Sequence, residues 1–264
     1  MSRISDIFKT KPHKVLNIYC TAGYPHLEST LTVMRALQEN GADIIELGLP
    51  YSDPLADGPV LQASNSRALK NGMTISKLFE QLKGFRNVPT LGDIGVLLMG
   101  YMNPVLQYGF EKFCKDAASI GIDGLIIPDL PEYEFEKLYG AIIKKYGLDF
   151  IFLVTPETSE NRIKKLDELS SGFLYAVSSS TTTGANKNFN NVSSYLQSIK
   201  ALKLKNPVLL GFGIRDKETF EMACAYANGA IIGSAYIKAI ENAADIDAAT
   251  KSFLTSVLSL SASD

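Results

Sequence analysis

Cysteine is scarce: Cys20, Cys114 and Cys224 are the three in 264 residues. They form no Cys-x-x-Cys pair and are odd in number, which excludes a disulfide scaffold and fits free thiols in a reducing compartment. Histidine is scarcer still. His13 and His26 are too few and too far apart to build a metal cluster or a Ser-His-Asp arrangement, so no metal is expected and any acid–base chemistry falls to carboxylates. No apolar run approaches the roughly 18 residues that span a bilayer, and Met1 to Phe8 starts like an amphipathic helix rather than a signal peptide. The expectation is a soluble cytoplasmic protein with no membrane contact. Charge of one sign is also missing: the net value is −2 with 20% charged residues, so no basic stripe points to nucleic acid and no acidic tract to disorder. Low-complexity segments, short repeats and Gly/Pro-rich linkers are absent.

What is present is a core: 46% of the residues are hydrophobic, ample for one large domain. Short apolar runs alternate with stretches of helical period, the pattern of repeated βα units. Eight strands are expected: Leu16–Thr21, Asp43–Leu47, Ile94–Met99, Gly124–Ile127, Asp149–Val154, Phe173–Val177, Val208–Leu210 and Ala230–Ile232. Amphipathic stretches such as Leu27–Asn40, Phe110–Ile120, Tyr133–Tyr146, Asn161–Leu169, Ser193–Leu204 and Lys217–Ala227 lie between them. A closed (β/α)8 TIM barrel over 1–264, a single domain with extra helices at Ile4–Phe8 and Asp247–Leu260, accounts for the count. An open doubly wound sheet would need a nucleotide fingerprint after the first strand, and Thr21-Ala22-Gly23-Tyr24-Pro25 is not one.

The stretch from Glu46 to Gln62 carries the chemistry. It leaves an apolar strand and enters at once a segment rich in proline, hydroxyls and carboxylates. A glutamate at the end of a buried strand either finds partners or takes up a raised pKa, and the latter suits proton transfer. Asp57 follows on a loop stiffened by Pro54 and Pro59; read alone, it could equally be a helix N-cap or an Asx-turn residue. Asp53 reads as a turn-tying carboxylate and Asp129 as a solvated loop acid. Tyr19, Tyr101 and Tyr175 read first as barrel-filling aromatics and Phe212 as a packing residue. After the sixth strand, 178–186 is a run of small hydroxylated residues closing on glycine, suited to a mobile lid. Gly211-Phe212-Gly213 and Gly233-Ser234-Ala235 follow strands seven and eight, where many barrels bind phosphate.

The segment Glu46-Leu47-Gly48, then Pro50-Tyr51-Ser52-Asp53-Pro54-Leu55-Ala56-Asp57-Gly58-Pro59, resembles the signature of the tryptophan synthase alpha chain family, with every element of the pattern present. Tyr101-Met102-Asn103-Pro104, Pro128-Asp129-Leu130-Pro131 and Thr155-Pro156 resemble that family at their positions too. In the sixth loop the chain keeps Ser178, Thr183 and Gly184 but has Ser179 where the family has arginine and Thr181 where it has glycine. The resemblance implies retro-aldol cleavage of indole-3-glycerol phosphate to indole and glyceraldehyde 3-phosphate. It makes Glu46 the acid/base and Asp57 the partner of the indole N–H, whose charge would also help keep Glu46 protonated. Tyr19, Tyr101, Tyr175, Thr183 and Phe212 become substrate contacts, and Gly184, Gly213, Gly233 and Ser234 hold the phosphate. Asp53 and Asp129 become loop or interface carboxylates. No cofactor is implied in this chain. Pyridoxal phosphate is expected in a partner beta chain, in an assembly of two chains of each kind. Two other classes stay open at this point: an isomerase or aldolase barrel, which would want a Schiff-base lysine at a strand end where none is found, and a regulatory partner without catalysis.

Overall fold

The computed structural model describes residues 2–177, 189–211 and 213–258, with the backbone alone at 189–193. Among these residues nine strands form one wholly parallel ladder: β1 (Val15–Thr21), β2 (Ile44–Gly48), β3 (Gly95–Met99), β4 (Gly124–Ile126), β5 (Asp149–Phe150), β6 (Leu153–Val154), β7 (Leu174–Val177), β8 (Val208–Gly211) and β9 (Gly229–Ile232). Their order is β5-β4-β3-β2-β1-β9-β8-β7-β6. The two ends of that ladder are consecutive pieces of one chain segment. Ile151 N donates to Leu125 O at 3.0 Å on one side, and Phe152 O accepts from Tyr175 N at 3.0 Å on the other. The segment 149–154, expected as a single fifth strand, is therefore one stave that bonds in both directions and joins the ladder's two ends, as an eight-stave barrel requires.

Helices follow the strands in alternation. They are α1 (Arg3–Thr10), α2 (Ser29–Glu39), α3 (Pro59–Lys70), α4 (Ile75–Gln81), α5 (Met102–Tyr108), α6 (Phe110–Ile120), α7 (Glu132–Glu134), α8 (Gly140–Lys145), α9 (Glu160–Leu169), α10 (Phe189–Ala201), α11 (Lys217–Tyr226), α12 (Ser234–Ile240) and α13 (Ile246–Leu258). The expected helix Tyr133–Tyr146 contains a π-helical turn at Phe135–Tyr139, and α3, α4 and α5 have no counterpart among the helical stretches read from the sequence. Their cues are local ones: Pro59 in the first turn of α3 and Thr74 capping α4 through the Lys77 amide at 3.1 Å. No helix among the described residues is long and apolar enough to cross a membrane.

Strand alternation divides the core in two. Leu16, Ile18, Cys20, Ile45, Leu47, Val96 and Leu98 face outward into the layer shared with the helices. Val15, Ile44, Leu97, Ile126, Ile151, Leu209 and Ile231 fill the lumen. The lumen is closed at the strands' N-terminal ends by α1, whose Ile4 and Phe8 pack into it. At the other end of the chain α13 lies against α2, with Arg35 and Asp247 paired at 2.9 Å. Cys20 and Cys114 are buried free thiols.

The N-terminal rim is held by one ion cluster. Asp123, 6% exposed, accepts from Arg86 Nη2 at 2.6 Å, Val96 N at 2.8 Å and Arg3 Nη1 at 2.9 Å. The Arg86 guanidinium also donates to the carbonyls of Gly121, Leu91 and Ile94, tying the segments that enter β3 and β4. Truncating Asp123 to alanine strands that guanidinium without its counter-ion, and the expected cost is about 3 kcal/mol, read as a lower denaturant midpoint.

Candidate active site

Glu46 lies on β2 in register with Tyr19 on β1 and Leu97 on β3. Residues two apart share a face, so Glu46 points the same way as Ile44, into the lumen. It has no solvent exposure. Asn17, on the lumen face of β1, donates from Nδ2 to Glu46 Oε1 at 2.5 Å, while Glu46 Oε2 has no hydrogen-bond partner among the described residues. Burial dominates over that one donor and pushes the Glu46 carboxyl up to about 8. The raised pKa anticipated for a carboxylate at a buried strand end is therefore present, and its cause is burial rather than the charge of Asp57.

Two tyrosines lie across the lumen toward the strands' C-terminal ends, each using a glycine on the adjacent strand. A Cβ on Gly48 would lie 2.1 Å from Tyr19 Oη, and one on Gly211 would lie 2.2 Å from Tyr175 Cε2. These glycines are spaces for rings. Tyr19 and Tyr175 are each 5% exposed, and burial raises the proton affinity of both phenols so that they stay neutral. Tyr175 lies within electrostatic reach of Glu46, Tyr19 and Asp57 together.

Asp57 sits on the loop from β2 to α3, half-buried. Tyr101, after β3, takes the Ala56 N–H at 3.2 Å and donates its own hydroxyl to Asp57 Oδ1 at 2.9 Å. Asn65 on α3 donates to Oδ2 at 3.0 Å. Burial pushes the Asp57 carboxyl up, and these two donors pull it back toward the ionised form. The N-cap reading does not describe it, because Gly58 occupies that position.

A cavity of about 310 Å³ opens at this end of the barrel. Asp57, Tyr19 and Tyr175 line it, and Gly213, Gly233 and Ser234 line it with them. Gly213 has φ 78°, a left-handed conformation that favours glycine. The two glycine turns after the last strands and the Asp57 loop thus meet at one cavity. Glu46 and Tyr101 are not in its wall: Glu46 lies deeper in the lumen, on the level of the Tyr19 backbone, and Tyr101 acts on Asp57. Asp53 is exposed and accepts from Ser52 Oγ at 2.5 Å, tying its own loop. Asp129 accepts from Met102 N at 3.0 Å and so anchors the start of α5. Thr183, Gly184 and Phe212, with Ser178, Ser179 and Thr181, lie outside the described residues.

Four polar residues of this region carry no sequence motif and emerge only from the fold: Asn17 and Asn65 beside the two carboxyls, and Arg215 and Lys238 in the cavity wall. Arg215 contacts Asp216 at 3.3 Å, whereas Lys238 makes no ion pair among the described residues. An asparagine inside an apolar strand was the available signal for the first, since strands are poor in that residue.

Fold and site together define a (β/α)8-barrel protein with a cavity at the strands' C-terminal ends, lined by Asp57 and two glycine turns, above the buried Glu46. Comparison with known proteins agrees: the family model for the tryptophan synthase alpha chain matches residues 7–262. The tryptophan synthase alpha chain of Christiangramia forsetii is 53% identical over 241 residues, 91% of this chain and 93% of that one. That of Flavobacterium johnsoniae is 53% identical over 239 residues, 90% and 93% of the two chains. A crystal structure of the alpha subunit from Legionella pneumophila superposes with a TM-score of 0.88 at 34% identity, covering 97% of each chain. Tryptophan synthase from M. tuberculosis in an aminoacrylate-bound form gives a TM-score of 0.84 at 32% identity, covering 97% of this chain and 100% of that one. The chain belongs to the tryptophan synthase alpha chain family, a lyase family that catalyses the alpha reaction and whose members work with a beta chain.

Two outcomes follow from this geometry. Gly48→Ala or Gly211→Ala drives a methyl group into a tyrosine ring, so each variant is expected to lose about 1–3 kcal/mol in denaturant titrations and to change its near-ultraviolet tyrosine dichroism. Glu46 is raised from 4.5 to about 8, so the native state holds a proton that the unfolded chain releases first; its contribution to stability is full below pH 4.5 and is lost as pH rises through about 8. Glu46→Gln removes that loss, and its stability advantage over the parent chain should therefore grow across this window in urea midpoints.

Proposed function

We propose that the substrate is indole-3-glycerol phosphate, cleaved by a retro-aldol step to indole and glyceraldehyde 3-phosphate. The observation that carries this reading is the buried, largely protonated carboxyl of Glu46 below a cavity that has Asp57 on one wall and Gly213, Gly233 and Ser234 on another. At neutral pH Glu46 begins as an acid and gives its proton to the ring carbon that bears the glyceryl chain. Positive charge then develops on the ring nitrogen, whose N–H is held by Asp57, kept in its charged form by Tyr101 and Asn65. The Glu46 carboxylate takes the proton of the glyceryl hydroxyl. The oxygen's electron pair forms the aldehyde, the carbon–carbon bond breaks, and its electrons restore the indole. Glu46 ends protonated, as it began, so the cycle consumes no external acid or base.

Tyr19 and Tyr175 present flat apolar surface to the ring. The phosphate lies remote from the reacting bond, where its binding orients the substrate, and Lys238, in no ion pair among the described residues, supplies positive charge on that side. Thr183, Gly184 and Phe212 complete the contacts in this reading. The chain acts as one barrel domain in the cytoplasm and carries no cofactor of its own. Indole passes to a beta chain that carries pyridoxal phosphate, in an assembly of two alpha and two beta chains. Leu55 at 79% exposure and Leu106 at 47% form the docking face. They lie on neighbouring segments, because Asn103 donates to Tyr51 Oη at 3.1 Å and the Tyr51 and Tyr101 rings stand 5.7 Å apart. Asp53 and Asp129 shape the loops at this face.

Glu46→Gln is expected to lower the release of indole from indole-3-glycerol phosphate by about 10³-fold while ligand binding persists in calorimetry; unchanged turnover removes Glu46 as the proton carrier. Asp57→Asn should lose about 10²-fold in the same assay and keep its fold by circular dichroism, and if it unfolds instead, the residue is structural. Leu55→Asp combined with Leu106→Asp should leave the isolated chain folded and abolish co-elution with a cognate beta chain; undiminished co-elution places the docking face elsewhere.

A further inference from the structure

Asn17 is out of place by the usual preferences of a strand. It sits in the middle of β1 with no solvent exposure, facing a lumen that its own strand and its neighbours otherwise fill with Val15, Ile44 and Leu97. A buried amide there costs free energy unless both of its ends are satisfied. Its Nδ2 is satisfied by Glu46 Oε1, but its Oδ1 has no partner among the described residues. The other oxygen of the same carboxyl, Glu46 Oε2, is likewise buried without one. A single proton on Oε2, donated to Oδ1, satisfies both orphaned acceptors of two side chains already joined through Nδ2 and Oε1.

We propose that Asn17 is a positioning residue that holds Glu46 in both of its protonation states, donating to Oε1 in each and accepting the Oε2 proton when Glu46 is the acid. This rests on the reading of Glu46 as the proton carrier. A group that must alternate between acid and base needs a neighbour that complements both forms. A primary amide carries a donor and an acceptor side by side without charge, whereas leucine offers neither, lysine only donates and aspartate brings a competing anion. The titratable groups around Glu46 do not take over this task. Burial, and after it the charge of Glu46, pushes Tyr175 on β7 and Cys20 on β1 toward their neutral forms, and Tyr19, its register neighbour, is held neutral by its own burial. Asp57 belongs to the cavity wall and takes its hydrogen bonds from Tyr101 and Asn65. Asn17 is the one hydrogen-bond donor to Glu46 among the described residues, so it is what keeps the ionised form within reach.

The test is a direct titration of Glu46 in the full chain carrying carbon-13 at the glutamate carboxyls, with the resonance assigned by its loss in Glu46→Gln. In Asn17→Leu the ionised form loses its donor, and the midpoint should rise by more than about one pH unit above its parent value. In Asn17→Asp, which keeps the size and shape of the side chain, the two carboxyls titrate as a pair whose last proton should leave above the parent midpoint, so either variant serves if the other fails to fold. Cleavage of indole-3-glycerol phosphate should fall at least about tenfold in kcat with KM changed less than about twofold, and its pH profile should move with the titration midpoint. A purely space-filling asparagine predicts that leucine leaves the midpoint where it was, and that result overturns the proposal. Should the midpoint move in the variants while the parent chain cleaves no substrate, the pairing stands and the assignment of the reaction falls.

Discussion

The structure depends on the burial of a carboxyl inside a barrel. Glu46 stands in a lumen packed mostly with aliphatic and aromatic side chains and plugged from below by Ile4 and Phe8. Water is excluded, and exclusion raises the cost of charge until the carboxyl keeps its proton near neutral pH. A surface glutamate with the same neighbours in sequence would be ionised and of little use as an acid. Here the parallel ladder, the plug helix and the tyrosines laid over Gly48 and Gly211 all contribute to one electrostatic condition.

Asp57, at the rim above, is also pushed up by burial but is held differently. It stands half-buried on a loop and is supplied with two donors, Tyr101 and Asn65, which favour the charged form. The two acids are therefore differentiated by environment, not by residue type. One lies in an apolar lumen with a single amide, and the other lies at a cavity wall with a phenol and an amide. Such a difference in environment is open to any barrel that presents one acid from a strand and another from the loop that follows it.

Much of the frame was legible in the sequence because it is periodic. Short apolar runs alternating with helical stretches gave the staves, and Phe110–Ile120 has the ends expected of it. The helices that were missed, α3, α4 and α5, are short or only weakly amphipathic, and they begin within loops whose proline and hydroxyl content masks a helical period. The fifth stave was expected whole and appears as two short pieces because each of its halves bonds to a different neighbour. Of the site, Glu46, Gly213, Gly233 and Ser234 could be picked out because each sits just after, or at the end of, an apolar run, and Asp57 because it belongs to the contiguous motif that follows Glu46. Asn17, Asn65 and Lys238 could not, since what brings them to the carboxyls and the cavity is strand register and helix docking.

By itself the sequence determined the barrel, the family and the two acids, because alternation, turn residues and a contiguous motif are local properties of the chain. Only the tertiary structure decided which carboxyl keeps its proton, which glycines make room for rings and which asparagine meets Glu46. Those outcomes arise from desolvation and steric exclusion between segments far apart in the chain, and neither quantity exists until the staves have closed around the lumen.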